Sequence, residues 1–303
     1  MSGTLHGVLV VDKPAGLSSH DVVSRVRRVA GQRGVGHAGT LDPMATGVLV
    51  VLLGEGTKLA SHLTSDDKIY QAEITLGSET DTLDAEGEVT ARAEVPVLSA
   101  ESVRRAAELF LGAQDQRAPV VSALKLRGTS LHERYRRGEA VEAPIRRVHM
   151  HWLEFLGYRA PVAALRVGVA KGYYVRSLAR DLGLALGTRA HLSSLRRLGS
   201  GSLSLDGAVP LDALLEPEGR ARLEAALLPL EAAVGHLPQA RLVARGAEDA
   251  FHGRAVRPAD YTLRGRLSQG ELAAMLGPDG RLLALGKLQP NGALRVARGF
   301  RYG

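Results

Sequence analysis

The uninterrupted aliphatic run from Val48 to Leu53, bounded by Gly47 and Gly54, constrains this chain more than any other segment. It has no polar side to turn to solvent, so it reads as a buried strand, and it falls far short of the roughly 20 residues a membrane-spanning helix needs. Gly7 to Asp12 is a second apolar run, stopped at Lys13, Pro14 and Gly16. Tyr70, Ala72, Ile74 and Leu76 alternate with polar residues, as do Leu165, Val167 and Val169, which predicts two half-buried strands. Helices are signalled by Ser18 with Asp21 ahead of Val22, Val23, Val26 and Val29, by Ser99 ahead of Val103, Ala106 and Ala107, and by Val175 to Leu186 with Gly187 as the stop. Strands and helices mix without a regular βαβ period, which predicts an α+β fold rather than a doubly wound sheet.

The length of 303 residues suggests two domains. Short Leu-, Ala- and Glu-rich helices are expected from Pro210 to about Gly235, and His236 to Pro238 marks a boundary. Beyond it, Arg281 to Gly286 and Leu294 to Val296, the latter after Asn291-Gly292, predict short strands of a small β-barrel. The expected division is 1–235 and 237–303. Cysteine is absent, which excludes a disulfide framework, thiolate metal sites and a cysteine nucleophile. The N-terminus lacks a secretory pattern, so a cytoplasmic location is expected.

A net charge of +7 favours a polyanionic partner, and its distribution says more than the total. Asp66 to Glu101 holds ten acidic and two basic residues, whereas Arg117 to Arg147 holds eight basic and three acidic. Lys171 to Leu198 (six against one) and Leu237 to Gly303 (eleven against five) are basic as well. Three such stretches could line one groove for nucleic acid. Aromatic residues, at 4%, are too sparse for a base-stacking sheet.

Gly34, Gly36 and Gly39 fit the spacing of a dinucleotide loop, but neither a strand before them nor a helix after them supports that reading. His149 and His151 on a probable strand indicate no metal. The unusual feature is Asp42, one carboxylate among glycines and small residues directly before the buried strand. Pro43 keeps it out of helical dihedrals, and the glycines let a ligand approach the backbone. Asp-Pro also initiates turns, so spacing alone leaves both readings open.

The segment Gly36-His37-Ala38-Gly39-Thr40-Leu41-Asp42-Pro43-Met44-Ala45-Thr46-Gly47-Val48-Leu49 resembles the central motif of the TruB-type tRNA pseudouridine synthases. Further likenesses follow in the family's order: Val11 to Gly16 with Ser18 and Ser19, Lys68 to Tyr70, Thr80 to Gly87, Ser122 to Lys125, Lys171 to Ala179, and Leu195 to Leu198. They span residues 7 to about 200. After Leu237 the chain is similar to a PUA domain, an RNA-binding barrel. One departure is Ala118-Pro119, where the family usually has paired prolines.

The resemblance implies a mixed, largely antiparallel sheet with flanking helices, and an enzyme that converts uridine 55 in the T loop of tRNA to pseudouridine. Asp42 is then the nucleophile that detaches uracil from ribose, Arg176 the cation that keeps it ionised, and Tyr70 the ring that stacks on the target base and assists the final proton removal. Outside the resemblance Tyr70 reads as core and Arg176 as an ordinary surface arginine. Tyr174 and Leu195 match residues lining the base pocket, Asp84 an acidic residue linked to Arg176, and Lys13 a support of that pocket. His37 matches the histidine that fills the loop once the base has flipped out, and 117–147 matches an insertion that closes on RNA. Neither metal nor cofactor is implied. The expected partner is the tRNA T arm, bound by a monomer without guide RNA, obligatory protein partner or membrane. The rival readings are a non-catalytic RNA-binding or tRNA-folding protein, and a nucleoside glycosidase, for which the usual carboxylate pair is not evident.

Overall fold

The computed structural model describes residues 3–122, 125–126, 129–130, 137 and 143–302. One sheet carries ten strands: β1 (Gly7–Lys13), β2 (Val35–Ala38), β3 (Thr46–Leu53), β4 (Lys68–Leu76), β5 (Gly112–Arg117), β6 (Ile145–Arg159), β7 (Val162–Val169), β8 (Ala190–Ser200), β9 (Leu203–Ser204) and β10 (Val209–Pro210). Their order is β10-β1-β3-β8-β4-β7-β6-β5, with β2 beside β3 and β9 beside β8. Only β10 on β1 and β8 on β3 run parallel. The sheet is therefore mixed and largely antiparallel, and the α+β expectation holds.

The aliphatic run forms most of β3, between β1 and β8, and each of its six residues is at most 1% exposed. Leu49, Val51 and Leu53 point to the face covered by α1 (Ser19–Ala30), α2 (Ala100–Glu108) and α3 (Val175–Ala185). Val48, Val50 and Leu52 point the other way, onto Leu59, Leu63, Leu230 and Val234 and onto the C-terminal residues Leu276, Leu282 and Phe300. Complete burial contributes about 2 kcal/mol per aliphatic side chain, and here both faces of one strand receive it.

The helix ends follow the local chemistry. Ser18 accepts from the Asp21 amide while the Asp21 carboxylate accepts from the Ser18 amide, a reciprocal cap on α1. Ser99 and Ser102 cap α2 in the same way. Gly187 adopts φ +74°, in the left-handed region, just beyond α3.

Five further strands form a separate sheet: β11 (Gln239–Leu242), β12 (Tyr261–Arg264), β13 (Leu272–Leu276), β14 (Leu282–Leu288) and β15 (Leu294–Gly299), in the order β12-β11-β13-β14-β15. Among the described residues no pairing joins β12 to β15, so the sheet keeps two edges. One of its faces has its own core of Ala240, Val256, Met275, Ala284 and Leu294. Ala274, Leu276 and Leu285 are buried instead against the back of the large sheet. Polar links fix the seam: Lys58 Nζ donates to the Gly299 carbonyl at 3.2 Å, and the Arg301 amide to Glu55 Oε2 at 2.6 Å.

Arg117 and Ile145 are cross-strand partners on β5 and β6, so the chain leaves and re-enters the sheet at one place. Most of the expected insertion at 117–147 lies outside the described residues. Among the described residues no helix is long and apolar enough to cross a membrane.

Candidate active site

Asp42 lies in the loop joining β2 to β3, and nearly every peptide of that loop is held from outside. The Ser19 hydroxyl accepts from the Leu41 amide at 2.8 Å and donates to the Leu41 carbonyl at 3.1 Å. The Pro43 carbonyl accepts from the Gly16 amide at 2.9 Å and from Lys13 Nζ at 3.1 Å. Arg197 donates to the Gly39 carbonyl at 3.1 Å and the Thr40 carbonyl at 3.4 Å. The Ala45 amide closes the turn on the Asp42 carbonyl at 3.1 Å. A loop so bound gives its carboxylate a fixed direction before any ligand arrives.

The carboxylate meets Arg176 at the start of α3 along one edge of the guanidinium. Nη2 donates to Oδ1 at 3.1 Å, and Nε lies 2.9 Å from Oδ2. The third nitrogen, Nη1, donates to the Thr82 carbonyl at 2.9 Å and lies 3.5 Å from Asp84 Oδ2. Leu83 adopts φ +63°, which a leucine rarely does. That turn lets the carbonyl before it and the carboxylate after it approach one cation. Asp84 is anchored in turn, its Oδ1 accepting from the Thr82 hydroxyl at 2.6 Å and the Glu86 amide at 3.1 Å.

The Asp42 side chain is 33% exposed and that of Arg176 only 7%. Burial raises the Asp42 pKa above the usual carboxylate range, and Asp84 adds to that, while Arg176 and Lys13 pull it down. The net direction is upward, so the cation offsets desolvation only in part. The result is a basic, directed carboxylate beside a fixed cation. Asp84 shares that guanidinium, but its side chain is 5% exposed, so the two acids do not form a pair open to one substrate.

The other residues singled out from sequence take different stations. Tyr70 is half-buried on β4, opposite Val167 and Arg197. Leu195 is buried on β8, opposite Ala72. Tyr174 precedes α3 and is half-buried, its amide donating to Gln116 Oε1 at 2.9 Å and its carbonyl accepting from Gln116 Nε2 at 3.1 Å. His37 sits on β2 with its ring edge-to-face on His20, centroids 5.3 Å apart, and burial lowers its pKa.

Lys13 is wholly buried behind the loop, its ammonium donating to the carbonyls of Pro14 (2.8 Å), Leu17 (2.7 Å) and Pro43 (3.1 Å). Burial lowers its pKa to about 8, with Glu86 and Asp42 opposing that shift. Lys13→Met leaves the Pro14 and Leu17 carbonyls without this donor and Pro43 with the Gly16 amide alone, and is expected to cost about 2–3 kcal/mol, read from urea unfolding. An unchanged midpoint would show that the ammonium does not hold the loop. Ser19 and Arg197 escaped the sequence reading as loop supports. Ser19 entered only within the family likeness beside Ser18, and Arg197 as one more basic residue, though it stands at an inward position of a strand.

Comparison with known proteins gives a consistent set of relatives. Residues 27–175 match the N-terminal domain of the TruB family of pseudouridylate synthases, and 176–235 match the tRNA pseudouridylate synthase B C-terminal domain. A tRNA pseudouridine synthase B of Xanthomonas axonopodis pv. citri is 42% identical over 297 residues, covering 98% of this chain and 94% of that protein. That of Thermobifida fusca is 43% identical over 288 residues, covering 92% and 93%. Among solved structures, a chain of a Cbf5-Nop10-Gar1 complex superposes with a TM-score of 0.77 at 28% identity, covering 98% of this chain and 85% of that one. A chain of an H/ACA ribonucleoprotein bound to a substrate RNA containing 2′-deoxyuridine gives 0.76 at 26%, with the same coverage.

Proposed function

Since the chain belongs to the TruB family of pseudouridylate synthases and is an enzyme that forms pseudouridine in tRNA, we propose that its target is uridine 55 of the T loop and that Asp42 is its nucleophile. The observation that carries this reading is the fork between Asp42 and Arg176, which joins a carboxylate of raised basicity to a fixed countercharge. The reaction breaks the bond from uracil N1 to ribose C1′ and joins C5 to C1′; C5 loses its proton and N1 gains one, so no net oxidation occurs. Both an attack at C1′ and an attack on the uracil ring use the same carboxylate. A sugar or ring adduct develops charge where Asp42 and Arg176 are already oriented, which lowers reorganisation during the reaction. Tyr70 is proposed to stack on the displaced base and assist removal of the C5 proton. Tyr174 and Leu195 line its pocket, Asp84 and Lys13 hold the machinery behind it, and His37 fills the loop the base has left.

The C-terminal sheet is proposed to hold the RNA stem as a PUA-like module, and the 117–147 segment to close over the loop. A groove of about 840 Å³ is lined by His236, Gln239, Arg264, Arg266 and Glu271, and its two arginines are suited to phosphate. The enzyme is proposed to act as a monomer without a guide RNA, in keeping with about 42% identity to proteins named as tRNA pseudouridine synthases. Affinity for tRNA is expected to fall by about 10²-fold or more between roughly 50 and 200 mM salt, as basic residues displace counterions. A flat binding curve over that range would remove the groove from the reading.

The test is pseudouridine mapped at single-nucleotide resolution in an unmodified tRNA transcript. Modification at position 55 alone supports the assignment, and modification at another uridine corrects the site. Binding that leaves every uridine unchanged makes the protein an RNA-folding factor.

A further inference from the structure

Arg197 is the largest wholly buried side chain among the described residues, 1% exposed. It sits at a short junction inside the large sheet. β8 meets β3 through only two parallel pairs, Arg196 with Thr46 and Arg197 with Gly47. Gly47, at φ +98°, makes the contact possible, because a Cβ there would lie 2.2 Å from the Arg197 carbonyl oxygen. Beside this junction the guanidinium donates from Nε to the Val48 carbonyl at 2.6 Å, from Nη2 to Gly39 at 3.1 Å and from Nη1 to Thr40 at 3.4 Å.

Strand cohesion alone does not call for this residue. No carboxylate lies within ion-pair distance of Arg197 among the described residues, so the buried charge is balanced by carbonyl dipoles only. Lys68 adds a second cation nearby, its Nζ on the carbonyls of Thr64 (2.8 Å) and Asp66 (2.5 Å). Burying charge without countercharge is costly, and an apolar side chain would fill the same space more cheaply. What the apolar side chain cannot do is span three carbonyls on two segments. Two of those carbonyls belong to the residues that lead into Leu41 and Asp42. Ser19, Lys13 and Gly16 secure the loop from Leu41 to Pro43, whereas Arg197 secures it from Gly39 to Thr40.

We propose that Arg197 is a positioning residue of the reaction, whose three-point grip on Gly39, Thr40 and Val48 sets the direction in which Asp42 presents its carboxylate. This rests on Asp42 being the nucleophile. A displacement of about 1 Å in a reacting group can cost about a hundredfold in rate. Arg197→Lys keeps the charge but replaces a planar fork with one point donor, which cannot reproduce the span.

The experiment uses the full chain and measures single-turnover pseudouridine formation with enzyme in excess, corrected for the fraction that binds tRNA. Wild type, Arg197→Lys, Gly39→Ala and Asp42→Asn are compared. Gly39 adopts φ +89°, so alanine there disturbs the same contact from the loop side and serves if the Arg197 variant does not fold. The expected result is a rate reduced about a hundredfold in Arg197→Lys, and at least tenfold in Gly39→Ala, with tRNA affinity within about threefold of wild type. A variant that melts earlier but reacts at the wild-type rate per binding-competent molecule overturns the proposal and leaves Arg197 a structural residue. An Asp42→Asn protein that stays active overturns the nucleophile assignment, and the positioning role with it.

Discussion

Asp42→Asn is expected to lower pseudouridine formation by about 10⁴-fold or more, the scale on which enzymes lose rate when a nucleophile is replaced, while tRNA affinity stays within about threefold. Asparagine has nearly the shape of aspartate, and the loop's supports act on its backbone rather than on the carboxylate. Recognition should therefore survive the loss of chemistry. Stability should move the opposite way from activity. Burial raises the Asp42 pKa, so the folded protein holds this proton more tightly than the unfolded chain does. That contribution is complete below the ordinary carboxylate pKa and is lost as pH rises through the higher folded value. At neutral pH the ionised side chain is thus a liability for the fold, and Asp42→Asn is expected to melt no lower, and by this argument higher, than wild type. The gain should shrink near pH 4. Calorimetry at both pH values, beside the rate and affinity measurements, checks all three statements. A variant that reacts at anything near the wild-type rate refutes the nucleophile assignment, and one that melts lower at pH 7 refutes the electrostatic account.

How much of this was legible in sequence depends on whether the decisive interaction is local. The helix caps at Ser18 and Ser99 were readable because donor and acceptor are three residues apart. The burial of β3 was readable because six consecutive apolar residues have no polar face. What covers that strand was not, since Leu276, Leu282 and Phe300 come from more than 200 residues away, and composition made their sheet look like a basic accessory. It has a second role as part of the cover over one face of the large sheet. Asp42 stood out through its neighbours, but its meaning came from resemblance. No spacing rule links it to Arg176, 134 positions on. The resemblance gave Lys13 as a support of the pocket, but from the residues alone Lys13 and Arg197 were opaque for a sharper reason. A lysine or arginine in a sequence reads as solvated charge, and only the fold reveals that these two are sealed inside, each serving backbone carbonyls.

Arg176→Lys is expected to lower the single-turnover rate by about 10²- to 10³-fold and to change its pH dependence. The guanidinium spends all three nitrogens at once, two on Asp42 and one on Thr82 and Asp84. An ammonium is a single point and cannot bridge those partners. Arg176 is the strongest influence lowering the Asp42 pKa, against desolvation and Asp84, which both raise it. Weakening that contact must therefore raise the pKa further. The ionised fraction of Asp42 then appears only at higher pH, so the acid limb of the pH–rate profile moves up, and the loss is larger near pH 6 than near pH 8.5. Arg176→Met removes the cation altogether and leaves buried Asp84 uncompensated, at a cost of about 3 kcal/mol in folding stability. Adding Asp84→Asn to that variant should restore much of the stability and little of the rate, because it neutralises the stranded charge without returning a partner to Asp42. An acid limb that stays in place in Arg176→Lys would mean that Arg176 orients Asp42 without controlling its ionisation. Recovery of rate in the double variant would assign the defect to folding instead of to the fork.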